Sequence, residues 1–113
     1  MSARALEALE LILNGGAEPD DVLRSSVGVL VEEPAIVWAG VVFLEENELV
    51  LGPQSGEPDE ARRLRLPIVY AGSPVGELWV DGDPDAVFLE RVADLLSTHV
   101  LIGWDTRGER WEP

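Results

Sequence analysis

Nine consecutive residues, Ile36-Val37-Trp38-Ala39-Gly40-Val41-Val42-Phe43-Leu44, carry no charge and are rich in valine. A near-continuous run of this kind suits a strand covered on both faces, because a half-exposed strand alternates apolar with polar side chains. With 113 residues, the chain is read as one domain, residues 1–113, without room for a second core. The apolar strand is therefore expected at its centre. Folding at this size buries roughly two-thirds of the surface exposed by the unfolded chain, enough to stand without metal or disulfide staples.

The remaining segments are read around that strand. Glu45-Glu46-Asn47-Glu48 makes a tight polar turn into a partner strand, Leu49-Val50-Leu51, and Gly52 to Pro58 reads as loop by composition. A third strand is expected from Leu64 to Tyr70, turned by Ala71-Gly72-Ser73-Pro74 into a fourth from Val75 to Val80. Upstream, Leu6, Leu9 and Leu13 share one face of a helix within residues 1–16, stopped by Asn14-Gly15-Gly16. A second helix follows Glu18-Pro19, with Asp20 or Asp21 as its cap and Leu23, Val27, Leu30 and Val31 as its buried stripe. Gly28 within it suggests either close packing or a break. The last helix is expected over about residues 84–102, with Pro84 at its first position and Gly103 as its stop. It leaves a polar tail, residues 104–113. The order helix, helix, hairpin, hairpin, helix predicts an α+β fold, an antiparallel sheet with N- and C-terminal helices packed on one face.

The charge narrows function by exclusion. Eight basic residues, all arginine, stand against 22 acidic ones for a net charge of −14. A field of that sign opposes binding to phosphate backbones and anionic membranes, so neither nucleic acid nor membrane is expected as a partner. The absence of cysteine removes disulfides, thiolate metal sites and thiol catalysis. No apolar run spans a bilayer and no secretory layout opens the chain, so a cytoplasmic protein is expected.

Four stretches, in order, resemble the free methionine-(R)-sulfoxide reductases, which are single GAF domains. Val37 to Leu44 resembles their tryptophan-bearing first strand. Glu48 to Pro58, with Leu49-Val50-Leu51-Gly52-Pro53, is similar to their second strand and Gly-Pro turn. Leu66-Pro67-Ile68-Val69-Tyr70 with Val75-Gly76-Glu77-Leu78-Trp79-Val80-Asp81 resembles the later hairpin, and Phe88 to Leu96 the closing helix. The resemblance implies a GAF-like fold over residues 23–102 and homodimerisation through terminal helices.

The departures from the family decide the chemistry. Its long connection after the Gly-Pro turn, which carries the reactive cysteines and closes over substrate, is reduced here to residues 57–63. The family's glutamate before the hairpin proline falls at Arg63, and of its two strand aspartates the first falls at Trp79 and the second at Asp81. Attack on a sulfoxide sulfur requires a thiolate, and no side chain here replaces it. No cofactor is expected. The bilin-attaching cysteine of other GAF branches is absent, and nothing resembles their cyclic-nucleotide signature.

Several residues remain as candidates. Arg62, Arg63 and Arg65 form the basic cluster of an acidic chain. They are suited either to capture of a carboxylate or phosphate, or to pairing with Glu57, Asp59 and Glu60 on a solvated face. Alternation sends Arg63 and Arg65 to one face and Leu64 and Leu66 to the other. Trp79 faces either a former ligand pocket or another subunit. Asp81, Asp83 and Asp85 alternate as in a calcium loop, but Ala86 and Val92 stand where such a loop needs glycine and glutamate, so no metal is expected. His99 lies on the apolar stripe of the last helix, a packed or interface residue rather than a catalyst. Ser25-Ser26 reads as small-residue packing. Trp38 is expected in the core with one partner for its indole N–H. Trp104 and Trp111 in the tail either anchor an interface or cover the edge of their own core.

These readings converge on a non-catalytic interaction or small-ligand module, homodimeric, with Arg63, Arg65, Trp79 and Asp81 as candidate ligand residues. Trp104, Trp111 and His99 are its candidate interface residues. The alternative is an enzyme of unknown reaction using a residual cleft near Asp81 and Arg63 or Arg65.

Overall fold

The computed structural model describes residues 3–111, and the side chains of residues 4–101. Its elements run α1 (Ala3–Leu13), α2 (Pro19–Leu30), β1 (Ile36–Glu45), β2 (Glu48–Gly56), a single 3-10 turn (Glu60–Arg62), β3 (Arg63–Tyr70), β4 (Ser73–Gly82) and α3 (Ala86–Trp111). The four strands form one antiparallel sheet in the order β2-β1-β4-β3. The valine-rich β1 is central, as its composition requires, and residues 38–43 are buried on both faces.

The three helices pack together and against one face of the sheet. Leu9 of α1, Leu23, Val27 and Leu30 of α2, and Phe88, Leu89, Val92, Leu96 and Val100 of α3 meet Ala39, Val41, Phe43, Ile68, Leu78 and Val80 in one core. The expected stripes on α1 and α2 are thus the inner ones, while on α3 Leu89 and Val100 join the core and His99, expected on that stripe, is half-buried. Ser26 is fully buried and its hydroxyl donates to the Val22 carbonyl at 2.7 Å, whereas Ser25 is exposed.

Both hairpins close through two-residue turns with left-handed backbone, Glu46-Asn47 (φ 49° and 71°) and Ala71-Gly72 (φ 52° and 83°). Such turns match the twist of the strands they join. Each hairpin then slips by one residue. In the first, Gly52 and Pro53 lie opposite Val41 alone, between the pairs Val42↔Leu51 and Gly40↔Gln54. In the second, Val75 is the extra residue between Val69↔Pro74 and Ile68↔Gly76.

Four boundaries differ from the sequence reading. Gly52 to Gly56 is strand rather than loop, because β2 is an edge strand and its bulge accommodates a proline that a central strand would reject. Glu18 is the residue before α2, with Pro19 in the first turn and no side-chain cap, so Asp20 and Asp21 lie inside the first turn, where their charges suit the helix start. α3 begins at Ala86, and Asp85 takes the capping position, its carboxylate accepting from the Val87 amide at 3.4 Å and its carbonyl from Leu89. The helix also runs through Gly103 to Trp111, so residues 104–111 are not an irregular tail. One glycine in a long helix costs about 1 kcal/mol, too little to end it.

Gly28 neither breaks α2 nor permits close packing, since nothing lies within 4 Å of a Cβ built there. Gly28→Ala is therefore expected to stabilise the protein by about 0.5–1 kcal/mol, read as an increased urea midpoint at unchanged slope.

Candidate functional site

Strand alternation assigns the sheet's second face. With Ala39, Val41 and Phe43 turned to the helices, Trp38, Gly40 and Val42 turn away from them. Directly paired residues share a face. Trp38 pairs with Asp81, Gly40 with Trp79 and Val42 with Glu77, while Arg63 pairs with Asp81, Arg65 with Trp79 and Pro67 with Glu77. The four candidate ligand residues, Arg63, Arg65, Trp79 and Asp81, therefore meet on this outer face.

Asp81 is fully buried, 0% exposed. Its carboxylate receives two hydrogen bonds from Arg63, Nε to Oδ1 at 2.8 Å and Nη2 to Oδ2 at 3.0 Å, and a third from the Asp59 amide at 2.6 Å. Burial pushes the Asp81 carboxyl up, but these hydrogen bonds and the adjacent positive charge outweigh it and hold the group below its usual range. Arg63 in turn is held more firmly protonated, chiefly by its bond to Asp81. Arg63 is not a solvated residue pairing with Glu57, Asp59 or Glu60, as one sequence reading had it, because its side chain is only 13% exposed. That description fits Arg62, whose Nε meets Asp59 at 2.8 Å with both side chains largely in solvent, a contact worth little.

Trp38 fills the space beside this pair. It is 2% exposed and its indole donates to Gln54 Oε1 at 3.1 Å, the single partner expected of it. It belongs to the outer face rather than the helix-side core. Its ring lies along the strand over Gly40, where an added Cβ would approach the ring carbons to 2.7 and 2.9 Å and the Leu51 side chain to 3.3 Å. The Arg63 guanidinium stands 4.5 Å from the Trp38 ring centre and 5.4 Å from that of Trp79, and Arg65 stands 4.4 Å from Trp79. The result is a ladder of alternating rings and cations, Trp38, Arg63, Trp79, Arg65. Glu77 completes it by accepting the Trp79 indole N–H at 2.7 Å.

Within this arrangement Asp81 is bonded to Arg63, and the Trp38 and Trp79 indoles to Gln54 and Glu77. Cavities opening elsewhere include one of about 480 Å³ lined by Arg4, Ala5, Val29 and Glu32, and one of about 260 Å³ lined by Leu44, Pro74, Val75 and Leu101. Neither is lined by Asp81, Arg63 or Trp79. Among the described residues no three acidic or histidine side chains gather where a metal would sit, and no helix is long and apolar enough to cross a membrane.

The candidate interface residues lie apart from the ladder, on α3. His99 is half-buried, its Nδ1 is shut from solvent without a partner, and burial pushes its imidazole pKa down, which favours the neutral form. Trp104 and Trp111 fall on the helical part of α3 whose side chains lie outside the described residues. Gln54, Gly40 and Glu77 were missed from sequence. For Gln54 and Gly40 the available signal was the demand of a buried tryptophan for one acceptor and for a flat neighbour.

No protein-family model and no curated protein matches the sequence. Solved structures do match the fold. The GAF domain of the Acinetobacter phosphoenolpyruvate-protein phosphotransferase superposes with a TM-score of 0.69 at 16% identity, covering 96% of this chain and 99% of that one. The free methionine-R-sulfoxide reductase of Neisseria meningitidis, in complex with its substrate, gives 0.67 at 17% identity over 94% and 95%. That of Staphylococcus aureus, also with substrate, gives 0.64 at 17% over 88% and 97%. At these identities the likeness establishes the GAF fold, as the resemblance implied.

Removing the buried carboxylate's charge, Asp81→Asn, is expected to cost about 3 kcal/mol at pH 7. Because the folded group is depressed, its contribution is complete above the unfolded value near 3.9 and fades as pH falls through the folded value. Urea titrations at successively lower pH should therefore show wild type and variant converging only in acid. Gly40→Ala should displace Trp38 and cost about 1–3 kcal/mol, with a red-shifted tryptophan emission.

Proposed function

We propose that this chain, built on the GAF fold, is a non-catalytic interaction module that self-associates, with recognition carried by the outer face of its sheet. One observation carries the reading: the groups that a ligand or a reaction would use are already occupied by one another. Asp81 is fully buried with its carboxylate held by Arg63 and the Asp59 amide, and the Trp38 ring covers Gly40. A buried carboxylate held as an ion pair is a poor general base, because catalysis favours a group poised near working pH and within reach of substrate.

The alternative, an enzyme using a residual cleft, is met in part, since Asp81 does face Arg63. The pair is closed rather than lining a cleft, and this favours the interaction module. The short connection supports it as well. Between Gly56 and Arg63 the chain has six residues, three of them spent on the 3-10 turn that brings the Asp59 amide to Asp81. Such a segment seals the end of the sheet and leaves no length for a flap. The chain also has no cysteine with which to attack sulfur.

The purified protein is expected to show no turnover of free methionine sulfoxide in the presence of a dithiol reductant, measured as methionine formed. Sustained turnover would overturn the non-catalytic reading. Sedimentation is expected to give a mass above the monomer's 12.3 kDa as concentration rises.

A further inference from the structure

We infer that the partner seated on the outer sheet face is a second copy of the same chain, docked so that Arg65 of one copy meets Glu77 of the other and the reverse. The inference rests on the self-association proposed above and names its surface.

Charge is the first argument. The chain carries −14, yet the strand residues of the outer face carry two arginines and two carboxylates, which cancel. Arg63 and Asp81 neutralise each other. Arg65 and Glu77 remain, two positions apart across the β3–β4 pair. Trp79 engages both, through its ring to Arg65 and its N–H to Glu77. Neither finds an ion-pair partner among the described residues. This balanced face spares two strongly acidic molecules direct repulsion where they meet, and its unpaired charges are opposite and adjacent. That is the pattern a two-fold contact satisfies reciprocally.

Apolar surface is the second argument. Leu49 and Leu51, each 44% exposed, alternate toward the outer face on β2. Pro67 stands exposed on the same face of β3. Four strands of eight to ten residues, spaced about 4.8 Å and rising about 3.3 Å per residue, offer roughly 550 Å² per copy. Two such footprints come to about 1,100 Å², the small end of the range for specific contacts. A reversible, concentration-dependent dimer follows.

The third argument is that the sheet's edges are poor substitutes for its face. The strand order leaves β2 and β3 as edges, and each contains a proline, Pro53 and Pro67. A missing N–H on each interrupts strand addition at either side.

The test is sedimentation equilibrium of the full chain from about 1 μM to about 1 mM, a range that brackets a weak dimer. The panel comprises wild type, Arg65→Glu, Glu77→Arg, the double exchange, and Trp104→Ser with Trp111→Ser. Circular dichroism confirms that each is folded. Wild type is expected to dimerise, either single exchange to weaken the dimer at least about tenfold, and the double exchange to recover it. A wild-type monomer throughout would overturn both the self-association and its surface. A dimer untouched by the exchanges, or lost only in the tryptophan variants, would overturn the surface and leave the self-association standing.

Discussion

The bidentate ion pair between Asp81 and Arg63 governs the outer half of this molecule. A carboxylate without solvent exposure is tolerable only when its charge is met and its lone pairs are filled. Here one arginine and one backbone amide do both. Three parts of the chain are thereby tied at one point: the end of β4, the start of β3 and the short connection at Asp59. The guanidinium, once fixed, becomes a platform for the two rings on either side of it. The outer face owes its order to this pair, just as the inner face owes its order to apolar burial.

The GAF fold is shared by domains that sense and by reductases that catalyse, so the fold alone assigns neither role. What distinguishes this chain is how the sheet face is finished. A long connection would leave space above the strands. A short one turns down at Asp59 and closes that end, while the Trp38 ring covers Gly40. Arginine at position 63 then has a structural explanation, because the buried Asp81 requires a cation that a glutamate at position 63 would not supply.

Much of the architecture could be read from the sequence, because periodicity and turn chemistry agree with the fold. The nine-residue apolar run, both hairpins, the first two helices and the alternation of Arg63 against Leu64 all appear where pattern places them. The errors occur where a local rule met a tertiary one. Gly52-Pro53 looked like loop because a bulge on an edge strand shares its composition with a turn. Gly103 looked like a stop because glycine commonly closes helices, but its penalty is small beside the length of α3. The Arg63–Asp81 pairing was harder. Counting outward from the Ala71-Gly72 turn without a bulge sets Arg63 opposite Val80, and only the extra residue at Val75 moves it to Asp81.

That single extra residue imposes a parity rule on the second hairpin. Because side chains alternate sides with each position, a one-residue deletion between Ala71 and Val75 would exchange the two sides of β3 relative to β4 and send arginine toward the helices. A two-residue change would keep the sides and only slide the strands. The hairpin can thus vary in length by even steps at modest cost, while odd steps turn the sheet inside out. Related chains that keep this electrostatic clasp should carry turn lengths of one parity.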